Sequence, residues 1–399
     1  MLILLILLAI TNLVTSDILN DVMDGDVLVK RDKRDVLSFL SRKKSEFISL
    51  GRSKRQVSLT YPKWTDDTLY YIFDTTISDA KKQLLMGAMQ HIADNTCIKF
   101  ADGSNKTNRV KFTNGDGCAS YIGMIGGTQS IYFSDDCMLT GIGIHEIMHA
   151  LGVYHEHSRY DRDDYINVNL ANVPKSSQSN FNKLTNKVSY NPYNFEYGST
   201  MLYSVNSFGT GSMNAKNSDY KRTMGLRKGS FFDMKMLNND YDCDCDSDPG
   251  CENGGYPNPN DCSQCLCTDG FGGPLCNENA VNQIQLTATS SFVSKSISFG
   301  LNTTITSFYQ PSIAIYAPSG KTIQFQFTSL SNFYCMNGCN MNGVEIKYLT
   351  DRRITNPIIC CFDTDQWSRM YNTTNNPLII NLHTRMAVKA IINFQYRYV

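Results

Sequence analysis

The chain has 399 residues, 42% hydrophobic and 19% charged, and its 37 basic and 37 acidic residues give a formal net charge of zero. That length exceeds one ordinary core and suits two to four domains, while the charge balance removes the electrostatic reason to expect nucleic acid or an anionic membrane as a partner. Fourteen cysteines, an even number, point to disulfides and an oxidising compartment.

Leu2 to Val14 is apolar but too short to span a bilayer, and Val14-Thr15-Ser16 offers small residues for signal peptidase. Residues 1–16 therefore read as a secretory signal peptide, although no basic residue opens it. No second long apolar run follows, so a secreted, extracellular protein without a transmembrane segment is expected. Residues 17–55 hold ten Lys or Arg against seven Asp or Glu. Such a run reads either as a heparin or nucleic-acid patch or as a segment removed on maturation. Arg52-Ser53-Lys54-Arg55 resembles a proprotein-convertase site, which makes 17–55 a propeptide, Arg55 the cut position and Gln56 the mature N-terminus.

Beyond Tyr61, Leu69 to Phe73 reads as a buried strand, and Ser78 caps a helix with Ala80, Leu84, Leu85, Ala88, Met89 and Ile92 at helical spacing. Cys97 to Phe100, Val110 to Phe112 and Gln129 to Phe133 read as short strands. Next comes His145-Glu146-Ile147-Met148-His149-Ala150-Leu151-Gly152-Val153-Tyr154-His155. On a helix, His145 and His149 share one face, Gly152 ends the helix by adopting the left-handed conformation, and the redirected chain brings His155 to the same point. Three neutral nitrogens with a fourth position open describe a catalytic zinc, one per subunit, with Glu146 placed to act as general base. From Phe231 to Tyr241 a last helix is expected.

A cysteine-dense stretch follows, with Cys245, Cys251, Cys262, Cys265, Cys267 and Cys276 in so short a span that disulfides must replace a core. A zinc site at Cys265 and Cys267, and calcium at Asp242, Asp244, Asp246 and Asp248, are the competing readings. From about 280 the sequence alternates polar and apolar residues in short runs, such as Ser312 to Tyr316, Thr322 to Phe327 and Val344 to Tyr348, which is β-sandwich patterning. It carries Cys335, Cys339, Cys360 and Cys361. Asn105, Asn302 and Asn372 each open a glycosylation sequon.

The zinc motif and its continuation His155-Glu156-His157-Ser158-Arg159-Tyr160-Asp161-Arg162-Asp163-Asp164-Tyr165-Ile166 resemble the astacin family of zinc endopeptidases, and Ser199-Thr200-Met201-Leu202-Tyr203 resembles that family's Met-turn. The resemblance implies an α+β metzincin catalytic domain over 56–243, with a twisted sheet and a zinc-binding helix. Residues 244–277 resemble an epidermal-growth-factor-like module and 280–399 a CUB-like β-sandwich, an order found in many nematode astacins. It implies zinc on His145, His149 and His155, and Tyr203 as a resting ligand that swings away to stabilise the oxyanion. It also implies Met201 as an apolar floor, Glu156 as the partner of the mature N-terminus, and disulfides Cys97 with Cys243 and Cys118 with Cys137. Met23-Asp24-Gly25-Asp26 resembles the propeptide motif that lends an aspartate to zinc, so Asp26 is the latency ligand in the zymogen. In the family, the strand at Gln129 to Phe133 is a sheet edge that pairs with substrate. Leu202 and Val153 stand where the family has His and Phe, and His91 where it has Trp. Arg159, Asp161 and Arg162 match an internal ion network. The implied activity is hydrolysis of protein or peptide substrates, with extracellular matrix a further expected partner. The alternative is an inert adhesion protein working through its C-terminal modules.

Overall fold

The structure, a computed structural model, describes residues 22–24, 26–29, 61–186, 188, 193–363 and 365–399. Arg55, Gln56, the signal stretch and most of the basic segment lie outside the described residues. No helix among the described residues is long and apolar enough to cross a membrane.

The first half is a sheet with two helices against it. Its strands are β1 (Val22–Asp24), β2 (Val27–Val29), β3 (Thr68–Phe73), β4 (Lys99–Asp102), β5 (Arg109–Thr113), β6 (Cys118–Tyr121) and β7 (Thr128–Phe133), in the spatial order β1-β2-β6-β7-β5-β3-β4. Between β3 and β4 runs α1 (Asp79–Asn95), whose first turn is capped by the Ser78 side chain accepting from Lys81 N. Alternation in β5 and β7 turns Val110, Phe112, Ile131 and Phe133 to one side, where Leu84, Leu85, Ala88, Met89 and Ile92 of α1 close over them. Each of these side chains except the Ala88 methyl contributes about 1.5–3 kcal/mol of burial.

One expectation fails here. The strand Gln129 to Phe133 is not an edge: β7 pairs parallel with β5 and antiparallel with β6. One border of the 61–133 strands is β6, a strand too short and too closely flanked by glycines to show in the sequence. In this structure β6 is itself covered by β2, Val27 opposite Ser120 and Leu28 opposite Tyr121, running parallel.

After β7, α2 (Thr140–Ala150) packs on α1 across Gly143, where a Cβ would sit 3.0 Å from Ala88 Cβ. The following residues form a second layer of short turns around β8 (Ile166–Val168) and β9 (Met213–Ala215), cored by Ile166, Phe181, Leu202, Tyr203, Met213 and Met224. A capping box of Ser230 and Asp233 starts α3 (Phe231–Asp240), which returns the chain to the end of α1. There Cys243 bonds Cys97, and Cys118 bonds Cys137.

The next module is built on three disulfides, Cys245–Cys262, Cys251–Cys265 and Cys267–Cys276. Cys265 and Cys267 therefore belong to separate bridges and not to a zinc site. The C-terminal module is a sandwich of a five-stranded and a four-stranded sheet over a core rich in Phe and Ile, with bridges Cys335–Cys361 and Cys339–Cys360. Asn105, Asn302 and Asn372 are all exposed.

Candidate metal centre

α2 carries His145 and His149 on one face. It closes at Gly152, whose φ of 105° lies in the left-handed region, with Gly152 N donating to His149 O at 2.8 Å and Val153 N to Met148 O at 3.0 Å. The redirected chain delivers His155. All three imidazoles are buried, and His149 Nε2 lies 3.1 Å from Nε2 of both His145 and His155.

The donor set fits zinc. His145 Nδ1 donates to Thr200 O and His149 Nδ1 to Val153 O, each at 2.8 Å. Both rings therefore present Nε2 as a bare lone pair. Burial pushes both imidazoles below their ordinary pKa, so they stay neutral. Lone pairs cannot hydrogen-bond one another, and tetrahedral zinc with Zn–N bonds of about 2.0–2.1 Å would hold nitrogens at about this spacing. The site asks for a cation shared by the three imidazoles.

Asp26 projects into the same point. Its Oδ2 is 2.8 Å from His145 Nε2, and its Oδ1 is 2.8 Å from His155 Nε2 and 3.9 Å from His149 Nε2. Asp26 Oδ1 also accepts from Tyr203 Oη at 2.9 Å. Burial first, then Asp26, pushes the Tyr203 phenol well up, which keeps it a protonated donor.

Glu146 is 1% exposed, and its Oε2 has no hydrogen-bond partner among the described residues. Burial, then Asp26, drives its carboxyl well above the ordinary range, opposed by Arg227. A buried, unpaired carboxyl oxygen next in sequence to His145 marks a functional group and not a structural one. Met201 is fully buried in the core beneath this helix, and its carbonyl accepts from Glu156 N at 2.9 Å. Glu156 Oε1 accepts from Arg159 Nη1 at 3.0 Å and from Glu196 N at 2.8 Å. Arg159 is buried and also bonds Asp161, and Arg162 Nη1 donates to His157 O at 2.8 Å, so the network is internal. Leu202 and Val153 keep apolar places in the two cores, and it is the Val153 carbonyl that orients His149.

Three neighbours escaped the sequence reading. His157 stacks on Tyr203 at 4.0 Å between ring centroids, and its Nε2 donates to Asn180 O at 3.0 Å. Asp233, the cap of α3, accepts from Ser199 Oγ at 2.6 Å and from Thr200 N at 2.9 Å, bracing the Met-turn. Arg227 Nη1 donates to Thr200 O at 2.5 Å and Leu202 O at 3.2 Å. Ser230-x-x-Asp233 left a trace in the sequence as a capping pattern, and His157 stood inside the 155–166 signature without a role of its own.

Residues 56–242 match the family model described as Astacin, a peptidase family. The chain is 43% identical over 381 residues to zinc metalloproteinase nas-17 of Caenorhabditis elegans, covering 95% of this chain and 86% of that protein. It is 41% identical over 367 residues to zinc metalloproteinase nas-16 of the same organism, covering 87% and 81%. Among solved structures it is similar to high choriolytic enzyme 1, a hatching enzyme zinc-protease from Oryzias latipes (medaka fish). That match has 30% identity and a TM-score of 0.42, and covers 46% of this chain and 94% of the other.

Proposed function

The chain belongs to the astacin family of zinc metallopeptidases, and from that premise we propose a secreted endopeptidase, made as a zymogen, in which Glu146 moves the proton and Asp26 blocks the site until residues 17–55 are removed. His145, His149 and His155 would hold the zinc. Bound zinc supplies a Lewis acid that makes water a nucleophile near neutral pH and polarises the scissile carbonyl. Glu146 Oε2 takes the proton from the attacking water and passes it to the leaving amine. Tyr203 Oη, released from Asp26, donates to the developing oxyanion.

The observation that carries this reading is the pairing of an unpartnered, buried Glu146 Oε2 with three imidazoles whose Nε2 atoms turn to one point. Latency is supported by Asp26, whose two oxygens occupy the place where water and substrate would meet the histidines. Loss of Asp26 also removes one cause of the raised Glu146 carboxyl, which favours the ionised base. The domain limits 56–243, 244–277 and 280–399, activation by a proprotein convertase after Arg55, and glycosylation at Asn105, Asn302 and Asn372 belong to the same proposal.

Glu146→Ala in the processed protein tests it. Peptide cleavage should fall by about 10²–10⁴, with zinc still bound at one equivalent by elemental analysis. Cleavage at the wild-type rate, or survival of cleavage after chelation, would remove the proposal.

A further inference from the structure

The C-terminal sandwich meets the catalytic half backbone to backbone. Gly338 has φ of 77°, and a Cβ there would lie 2.3 Å from Gly225 O. Gly225 has φ of 89°, and its own Cβ would strike Ser204 at 2.5 Å. No side chain fits at Gly338, so the two backbones are in direct contact.

Asn340 uses this approach. Its Oδ1 accepts from Arg227 N at 2.7 Å and its Nδ2 donates to Gly225 O at 2.9 Å, so both ends of the amide have the partners their chemistry demands. Its own carbonyl accepts from Arg385 Nε at 2.9 Å, which ties it to the sandwich. From the segment so held, the Arg227 side chain turns inward to the carbonyls of Thr200 and Leu202. Thr200 O is also the acceptor for His145 Nδ1. A second contact from the same module reaches the same helix, because Thr140 N at the start of α2 donates to Thr306 O at 3.0 Å.

We propose that the C-terminal sandwich is a working part of the metal centre: Asn340 fixes the backbone at Gly225 and Arg227, the Arg227 guanidinium clamps the Thr200 and Leu202 carbonyls, and the Thr200 carbonyl fixes the His145 imidazole. Asn340 and Arg227 are positioning residues, acting on His145 from a module that contributes no ligand and from the segment it holds. Groups that orient a ligating imidazole through its other nitrogen are worth about 10–100-fold in metal affinity. The proposal rests on His145 being a metal ligand.

The experiment uses the full-length, processed protein and reads zinc retention by competition with a chelator, together with kcat and KM. Asn340→Ala and Arg227→Met should each weaken zinc retention about tenfold or more and lower kcat more than they change KM. Arg227→Met keeps the apolar stem and lies within the catalytic half, so it serves if Asn340→Ala fails to fold. Arg227→Lys, which restores a cation within reach of the carbonyls, should recover most of the loss. Asp363→Ala breaks a different bridge across the same interface, the one to Arg222, and should leave zinc retention unchanged. Wild-type zinc retention in Asn340→Ala and Arg227→Met overturns the proposal, and so does an equal loss in Asp363→Ala, which would make the effect one of docking in general. His145→Ala separates the levels: if it keeps stoichiometric zinc, the ligand assignment itself has failed.

Discussion

Tyr203 is a phenol that burial and a neighbouring carboxylate keep protonated, with its ring stacked on His157 and its oxygen aimed at the centre. Replacing it by Phe preserves the ring and the stack but removes the one donor. Tyr203→Phe should therefore lower kcat about 100-fold with little change in KM and no loss of zinc, the pattern expected of an interaction made only in the transition state. Steady-state kinetics beside a zinc assay checks it, and a raised KM with kcat intact would mean that Tyr203 only binds substrate. At this scale the ligands, Glu146 and Tyr203 were legible because helical spacing and a short motif carry them. Arg227 was not, because a single side chain that acts through space leaves no period and no spacing.

Among the elements, the pairing of β2 with β6 explains how a short stretch of chain can hold Asp26 in place. Ser120 N donates to Asp26 O at 2.8 Å, and Leu28 buries itself against Ala119 and Tyr121. Strand addition on an open edge gains main-chain bonds without a large interface. Leu28→Ala should cost about 2–5 kcal/mol of that seat, and in an Arg55→Ala protein, which the proposed processing would leave uncut, it should raise residual peptidase activity about tenfold or more over Arg55→Ala alone. Equal activity in the two precursors would show that Asp26 needs no help from its strand. The sequence read β3, β4, β5, β7 and the start of α1 from apolar runs and capping. It misplaced the sheet edge, since strand order is set by long-range pairing and not by any local pattern.

Over the whole molecule, disulfides staple each module internally and buried polar contacts join one module to another. Cys97–Cys243 closes 146 residues and Cys118–Cys137 closes 19. In the chain-entropy account these restrict the unfolded state by about 5 and about 3 kcal/mol. Glu196 bridges the halves: its carboxyl accepts from Gly198 N at 2.8 Å and, across the interface, from Thr355 N at 3.2 Å. Burial pushes it up to about 8, against backbone bonds that pull the other way. The folded state thus binds this proton more tightly than the unfolded chain. Its contribution to stability is full below the ordinary carboxyl range and is lost as pH rises towards 8. Glu196→Gln, which mimics the protonated form, should flatten the fall in Tm between about pH 5 and 8, and a parallel shift of the whole curve would count against this assignment.

The sequence by itself determined the chemistry: His145, Glu146, His149, Gly152 and His155 form a local pattern that a helix and one left-handed turn convert directly into a metal site. Only the tertiary structure decided which strand β2 pairs with, that both oxygens of Asp26 reach the histidines, and that the downstream sandwich holds Arg227 through Asn340. Those contacts join residues far apart in the chain. Their geometry depends on how whole elements pack, which no spacing within the sequence records.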